Sequence, residues 1–371
     1  MTERLSRDRI TAILVLLPSI IVLAIFVYGF IFWTGYTSMT DSNALQALSG
    51  RTANFIGLSN YTTLLTGFEQ RFRVDITNTV FFTVLFIAAC LILGMGLAIL
   101  LDQKIKGESI FRTIFLFPMA LSFVVTGVIW QWLFNPNSGI NLLPTVIGLP
   151  KGEFNWFISQ DRWLEFNWQN LPNIIAIILL GVVIFVALYL WSKKRSQAAA
   201  FVAAIAILLI ASISLDIPKA FNGLPTAERQ GFNLALIAVV IAAAWQMSGY
   251  TMAMYLAGLR GISEDLREAA RVDGATELGV YRYVIFPLLQ PITLSAMIIL
   301  GHISLKIFDL VFTMGGGGIL QIDMPGINMF YTTFRASEFA RGAAIAMVML
   351  VMVAVVIVPY LWSSLRSEVQ Q

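Results

Sequence analysis

Apolar residues in this chain fall into long, nearly unbroken runs rather than into alternation. Eight runs approach the roughly 20 residues that a membrane-spanning helix needs. They cover about residues 11–33, 77–101, 114–133, 173–191, 198–215, 232–256, 288–312 and 342–362. None shows the period of two expected of a barrel strand. Backbone in lipid must close its own hydrogen bonds, so each run is read as a helix. The first run is too long for a signal-peptide core, and no small-residue cleavage site follows it, so it is read as a retained span. The pattern predicts an all-α integral membrane protein with about eight spans, forming a single transmembrane domain over 1–371.

Composition narrows the function. Of 371 residues, 58% are hydrophobic and 12% charged, whereas a soluble domain carries about 25% charged residues. A water-soluble enzyme is excluded. The net charge of +3 is small and the basic residues are scattered, so no nucleic-acid surface is expected. Cys90 is the single cysteine and His302 the single histidine, which excludes a disulfide within the chain and a metal site built on several of these residues. No Gly-Lys pair occurs anywhere, so the run Gly315–Gly318 is not a phosphate loop. No cofactor or metal is expected in this chain.

Lys and Arg set the orientation. With the N-terminus inside, Arg4, Arg7, Arg9, Lys104, Lys106, Arg112, Lys193, Lys194, Arg195, Arg260, Arg267, Arg271, Arg282 and Arg366 all fall on the cytoplasmic side. Both termini are then cytoplasmic. The fourth and fifth runs form a helical hairpin, 173–215, joined by the basic turn SKKRSQ.

The most charged stretch is the inside loop 257–287, AGLRGISEDLREAARVDGATELGVYRYVIFP. Ser263 is a good N-cap, with Glu264 and Asp265 in the first turn, where the helix dipole favours anions. Gly274 ends the helix as a left-handed residue would. Thr276 caps a second short helix that is expected to stop before Pro287. A helix, a glycine turn and a helix on the membrane surface read either as a lever that fits a groove on a partner or as a solvated loop helix.

Glu268, Ala269 and Ala270, then Asp273-Gly274, then Val284, Phe286 and Pro287 are spaced as in the EAA loop. On these residues the chain resembles the permeases of binding-protein-dependent ABC importers. The lead-in Ala257–Ile262, the stretches Leu116–Pro118 and Trp132–Pro136, and Phe308-Asp309 with the glycine run resemble the carbohydrate subfamily, in its maltose-permease-like first-subunit form. The wording of 301–318 is most similar to glucose/mannose-type permeases. The resemblance implies a MetI-like domain. Its partners would be a second permease subunit (a heterodimer), an ABC ATPase dimer that binds the ATP, and an extracytoplasmic sugar-binding protein. It further implies a prokaryotic cytoplasmic membrane, with Glu268 and Gly274 coupling to the ATPase, and sugar as the substrate. The usual family core has six spans, so the hairpin 173–215 reads as an insertion.

Sugar would meet polar and aromatic groups that line a cavity. The candidates are Trp245, Gln246, Ser248 and Tyr250 in one span, and His302, Lys306 and Asp309, at i, i+4 and i+7, in the next. Interfacial tryptophans and hydrogen bonds between helices are the plainer reading of the first set. A Lys306–Asp309 pair is the plainer reading of the second. An oligosaccharide or glycerol-phosphate-type substrate is the alternative within this reading. Outside it stands a membrane glycosyl or lipid transferase, for which only Asp161 and Glu165 around Trp163 offer carboxylates. A secondary transporter would show paired repeats and broken helices, which the pattern does not reveal.

Overall fold

The computed structural model describes residues 7–103, 105–153, 155, 157, 159–193, 196–215, 217–218, 224, 227–315 and 318–369. Arg4, Lys104, Lys194, Arg195 and two residues of the glycine run, Gly316 and Gly317, lie outside these.

The chain is built almost wholly of helices. α1 (Arg7–Leu23) passes through a π segment, Ala24–Gly29, into α2 (Phe30–Ser38). Short helices α3 (Ala44–Leu48) and α4 (Ser59–Thr66) fill the next loop. α5 (Arg71–Asp102) is a 32-residue helix that starts well before the apolar run it contains. α6 (Glu108–Leu116) and α7 (Phe123–Leu133) follow, then the single turn α8 (Leu143–Val146). α9 (Leu171–Ser192) and α10 (Ser196–Ser214) form the hairpin. α11 (Ala235–Gly261) leads to the surface helices α12 (Glu264–Val272) and α13 (Glu277–Val280). α14 (Phe286–Leu288), α15 (Gln290–Leu305), α16 (Asp309–Gly315), α17 (Pro325–Phe330) and α18 (Phe339–Val369) complete the chain.

Among the described residues, five helices are long and apolar enough to cross a membrane, and two bent pairs raise this to seven. The last predicted run falls in α18, whose apolar part, Phe339–Val355, is shorter. The bent pairs correct the reading of two runs as continuous helices. The run 114–133 breaks between Ala120 and Phe123, and the two arms meet at 99°. Pro118 sits in the 3-10 turn before the break, and the Ser122 hydroxyl accepts the Val125 N–H (3.3 Å), capping a new helix. Proline and a competing cap together outweigh helix continuity. The run 288–312 bends by 62° at Leu289, then stops at Leu305. The Ser304 hydroxyl turns back onto the Gly301 carbonyl (2.8 Å), an alternative partner that disfavours helix propagation.

The core lies between α5, α11, α15 and α16. Phe82, Phe86, Leu236, Val239, Ala243, Leu300, Leu310 and Met314 are buried there. α11 carries Ala235, Ala238, Ala242 and Ala243 fully buried, so its neighbours come close. At Gly249 a Cβ would fall 2.2 Å from the Phe115 carbonyl, so only glycine lets the broken helix lie against α11.

The sequence pattern did not reveal one feature. Strand β1 (Arg162–Asn167) pairs antiparallel with β2 (Arg229–Asn233), Trp163 opposite Phe232 and Asn167 opposite Arg229. The first residues of the 232–256 run therefore finish a strand, and the fold is not purely helical. The ribbon closes the base of the α9–α10 hairpin and rests on α5 through Phe81 and Phe232, whose rings are 5.4 Å apart.

Candidate functional site

The 257–287 loop folds as its local signals predict. The Ser263 hydroxyl accepts the Asp265 N–H (3.2 Å) at the start of α12. Gly274 has φ +87°, the left-handed conformation that ends the helix. The Ala275 N–H then returns to the Ala270 carbonyl (3.0 Å). The Thr276 hydroxyl accepts the Gly279 N–H (3.3 Å) and caps α13. The expected stop before Pro287 is corrected: the chain widens into a π segment, Tyr281–Ile285, and stays helical to Leu288. Pro287 lies near the start of α14, where its missing N–H is tolerated.

Two arginines hold the loop. Arg267 donates to Asp102 at the end of α5 (2.9 Å) and to the Leu259 carbonyl near the end of α11 (2.7 Å). Both side chains of this ion pair are nearly buried, at 13% and 10% exposure. Arg271 bridges Glu277 on α13 (2.8 Å) and Glu264 on α12 (3.2 Å). The Glu277 hydrogen bond, then that of Glu264, raises the Arg271 guanidinium above its ordinary value. Ala270, Ala275 and Tyr281 pack onto a core of Leu101, Leu259, Val280 and Ile285. The opposite side of the loop is bare. Glu268, Ala269, Asp273 and Gly274 are exposed, as are the apolar Val272 (87%) and Leu278 (76%).

The residues singled out in α11 all make contacts within the fold. Gln246 is buried, and its amide donates to the Leu121 carbonyl (2.7 Å), one of the groups freed by the α6–α7 break. Trp245 is half-buried, edge-to-face on Trp130 at 5.8 Å. The Ser248 hydroxyl donates to the Trp245 carbonyl of its own helix (3.4 Å), and Tyr250 packs half-buried against the main core. His302, Lys306 and Asp309 do not share one helix, which corrects that expectation. His302 is half-buried in α15, Lys306 follows its last residue, and Asp309 opens α16. Lys306 and Asp309 are both exposed, and no ion pair joins them. Beside the break stand Phe308, Phe312 and Phe330, with ring centroids 5.1–5.7 Å apart, and Phe334 reaches outward from Phe330.

A buried polar network at the start of α5 escaped the sequence reading. Arg73 and Glu228 are joined at 2.6 Å, both almost fully buried, and Arg73 also donates to the Gly67 carbonyl (2.9 Å). Arg71 meets Asp323 at 2.7 Å and lies over the Tyr331 ring. Asn328 donates to Asp75 (2.6 Å), and Asn233 to Asn78 (2.8 Å). Burial pushes the Asp323 carboxyl above the usual carboxylate range, while Arg71 pulls it down. The available signal was Arg71, Asp75 and Asn78, polar at i, i+4 and i+7 where an apolar run begins, with Arg73 between them.

A family model described as the inner membrane component of binding-protein-dependent transport systems matches residues 196–366, which include the whole 257–287 loop. A probable ABC transporter permease protein of Pyrococcus horikoshii is 34% identical over 368 residues, covering 98% of this chain and 99% of that one. The chain belongs to the binding-protein-dependent ABC importer permeases. This permease is also 31% identical to the xylose/arabinose import permease protein of Haloferax volcanii, over 92% of its own length and 84% of that relative's. Among solved structures, a chain of a bacterial ABC transporter that imports the acidic polysaccharide alginate superposes with a TM-score of 0.65 at 17% identity, covering 98% and 99% of the two chains. The permease thus shares that chain's fold. Its relatives are named as transport subunits, not enzymes, which bears out the family expectation, and the shared fold bears out a mostly helical importer-permease architecture.

Proposed function

We propose that this permease is one of two membrane subunits of an ATP-driven carbohydrate importer, and that α12 is the helix it offers to an ATPase subunit. The observation that carries the reading is the loop itself. Its inner face is pinned to α5 and α11 through Arg267, while its outer face leaves Glu268, Ala269, Val272, Gly274 and Leu278 bare. A force applied to that face passes to both long helices of the core, as alternation between two global states requires. The loop lies in the cytoplasm, as the Lys and Arg distribution supports, with both termini on the same side of a prokaryotic inner membrane.

Carbohydrate is the substrate class favoured by the relatives. One is named for xylose and arabinose, another, from Thermoanaerobacterium thermosulfurigenes, for starch degradation products. These names span single sugars and the products of starch breakdown. Lys306 and Asp309 line the pathway in this reading. Exposed charges at a helix break are costly against lipid and acceptable against water. Trp245, Gln246, Ser248, Tyr250 and His302 act behind them, as packing for that wall. The remaining partners are a second permease subunit and an extracytoplasmic binding protein.

Purification in mild detergent, then reconstitution in liposomes, tests the reading. An ATPase and a second permease should co-purify, and a sugar-loaded binding protein should raise ATP turnover. A panel of loaded sugars then names the substrate. A chain that purifies alone and moves or modifies a substrate without ATP would overturn it.

A further inference from the structure

The α9–α10 hairpin stands apart. Its two helices pack on each other, and α9 also meets the turn Trp168–Asn170 above it, but neither packs substantially on the bundle. Between them runs a groove of about 430 Å³, lined by Ile184, Leu188 and Trp191 on α9 and by Ala200, Ala203 and Ile207 on α10. At one end lies the basic turn. Its lining there includes Trp191 and Ser196, and Lys193 follows directly, exposed, above the Tyr189 ring. No carboxylate pairs with Lys193 among the described residues. The sequence adds Lys194 and Arg195.

From Ser196 to Ile207 a helix rises about 16 Å, close to half of the roughly 30 Å hydrocarbon thickness. The groove is therefore one leaflet deep, with a tryptophan at its rim and the exposed Lys193 just beyond. A lone apolar groove would accept any chain. The ammonium of Lys193 at its mouth selects an anionic headgroup, as basic sites at the ends of membrane helices do.

We propose that the hairpin binds one anionic phospholipid, an acyl chain lying in the α9–α10 groove and the phosphate held by Lys193. The site depends on neither transport nor the identity of the substrate.

The test uses the full chain, equilibrated with vesicles of phosphatidylcholine containing matched-chain phosphatidylglycerol, then examined by native mass spectrometry. Wild type should retain phosphatidylglycerol at least tenfold over phosphatidylcholine. Ala203→Phe fills the groove and should abolish retention, whereas Leu208→Phe, on the other side of α10, should not. Lys193→Glu is exposed and cannot disturb packing. It should erase the preference for phosphatidylglycerol. Equal retention of the two lipids by wild type, or undiminished retention by both Ala203→Phe and Lys193→Glu, would overturn the proposal. A photo-crosslinker at Leu188 decides the occupant: a lipid adduct supports the site, and a protein adduct refutes it.

Discussion

The two ends of α5 use the same chemistry to opposite effect. At its start, Arg73 and Glu228 meet with 2% and 3% of their side chains exposed, inside a network that also holds Asp75, Asn78, Asp323 and Asn328. At its end, Asp102 takes Arg267 at the edge of the bundle, and one turn farther along α12 the Arg271 pairs are open to water. Buried ion pairs tolerate no loss of a partner, because the survivor is left charged without solvent. Exposed pairs are nearly neutral to stability. The start of α5 is thus a fixed point, and its end a place where the chain can be handled without unfolding.

That contrast predicts a graded series. Glu228→Ala should be the most damaging, costing about 3–5 kcal/mol, because Arg73 stays buried and unpaired. Thermal unfolding in detergent would show it, and an unchanged melting temperature would remove the distinction between the two ends. Arg267→Ala should cost less, about 1–2 kcal/mol, by freeing a nearly buried Asp102 and the Leu259 carbonyl; it should also loosen α12, seen as faster amide exchange there. Arg271→Ala should leave the melting temperature unmoved, since Glu264 and Glu277 are solvated. Glu268→Arg should change stability least of all, yet lower uptake by on the order of tenfold or more while ATP hydrolysis continues, the size of a typical coupling term. Normal uptake by that variant would remove α12 from the coupling path. Gly274→Trp is a poorer probe, because φ +87° strains any side chain there.

Much of this was legible in the sequence where the signals are local. Ser263, Gly274 and Thr276 each act within three residues, and the structure places all three as caps or stops. The apolar runs were legible because lipid imposes a length on every one. The breaks were not. Hydropathy averaged over a span is blind to Pro118, which lacks an N–H, and to Ser122 and Ser304, which act through single hydrogen bonds, and so it places His302, Lys306 and Asp309 on one helix. The network at the start of α5 was hidden for a different reason. Arg73 and Asp75 look like loop residues until Glu228 and Asn328, far along the chain, arrive to pair with them. The β ribbon, with its short strands and a register shift between Trp163 and Phe166, carries no pattern strong enough to read.

The ribbon bears on how such a chain can change over time. Because Asn167 lies opposite Arg229, the polypeptide leaves the bundle and returns to it at neighbouring points. Everything between them can be lengthened, exchanged or cut out without rethreading the rest. Glu228, at the very edge of that cassette, must stay, as the partner of Arg73. A shortened chain that joins the two strands through a tight turn and retains this carboxylate is an engineering target the architecture already permits.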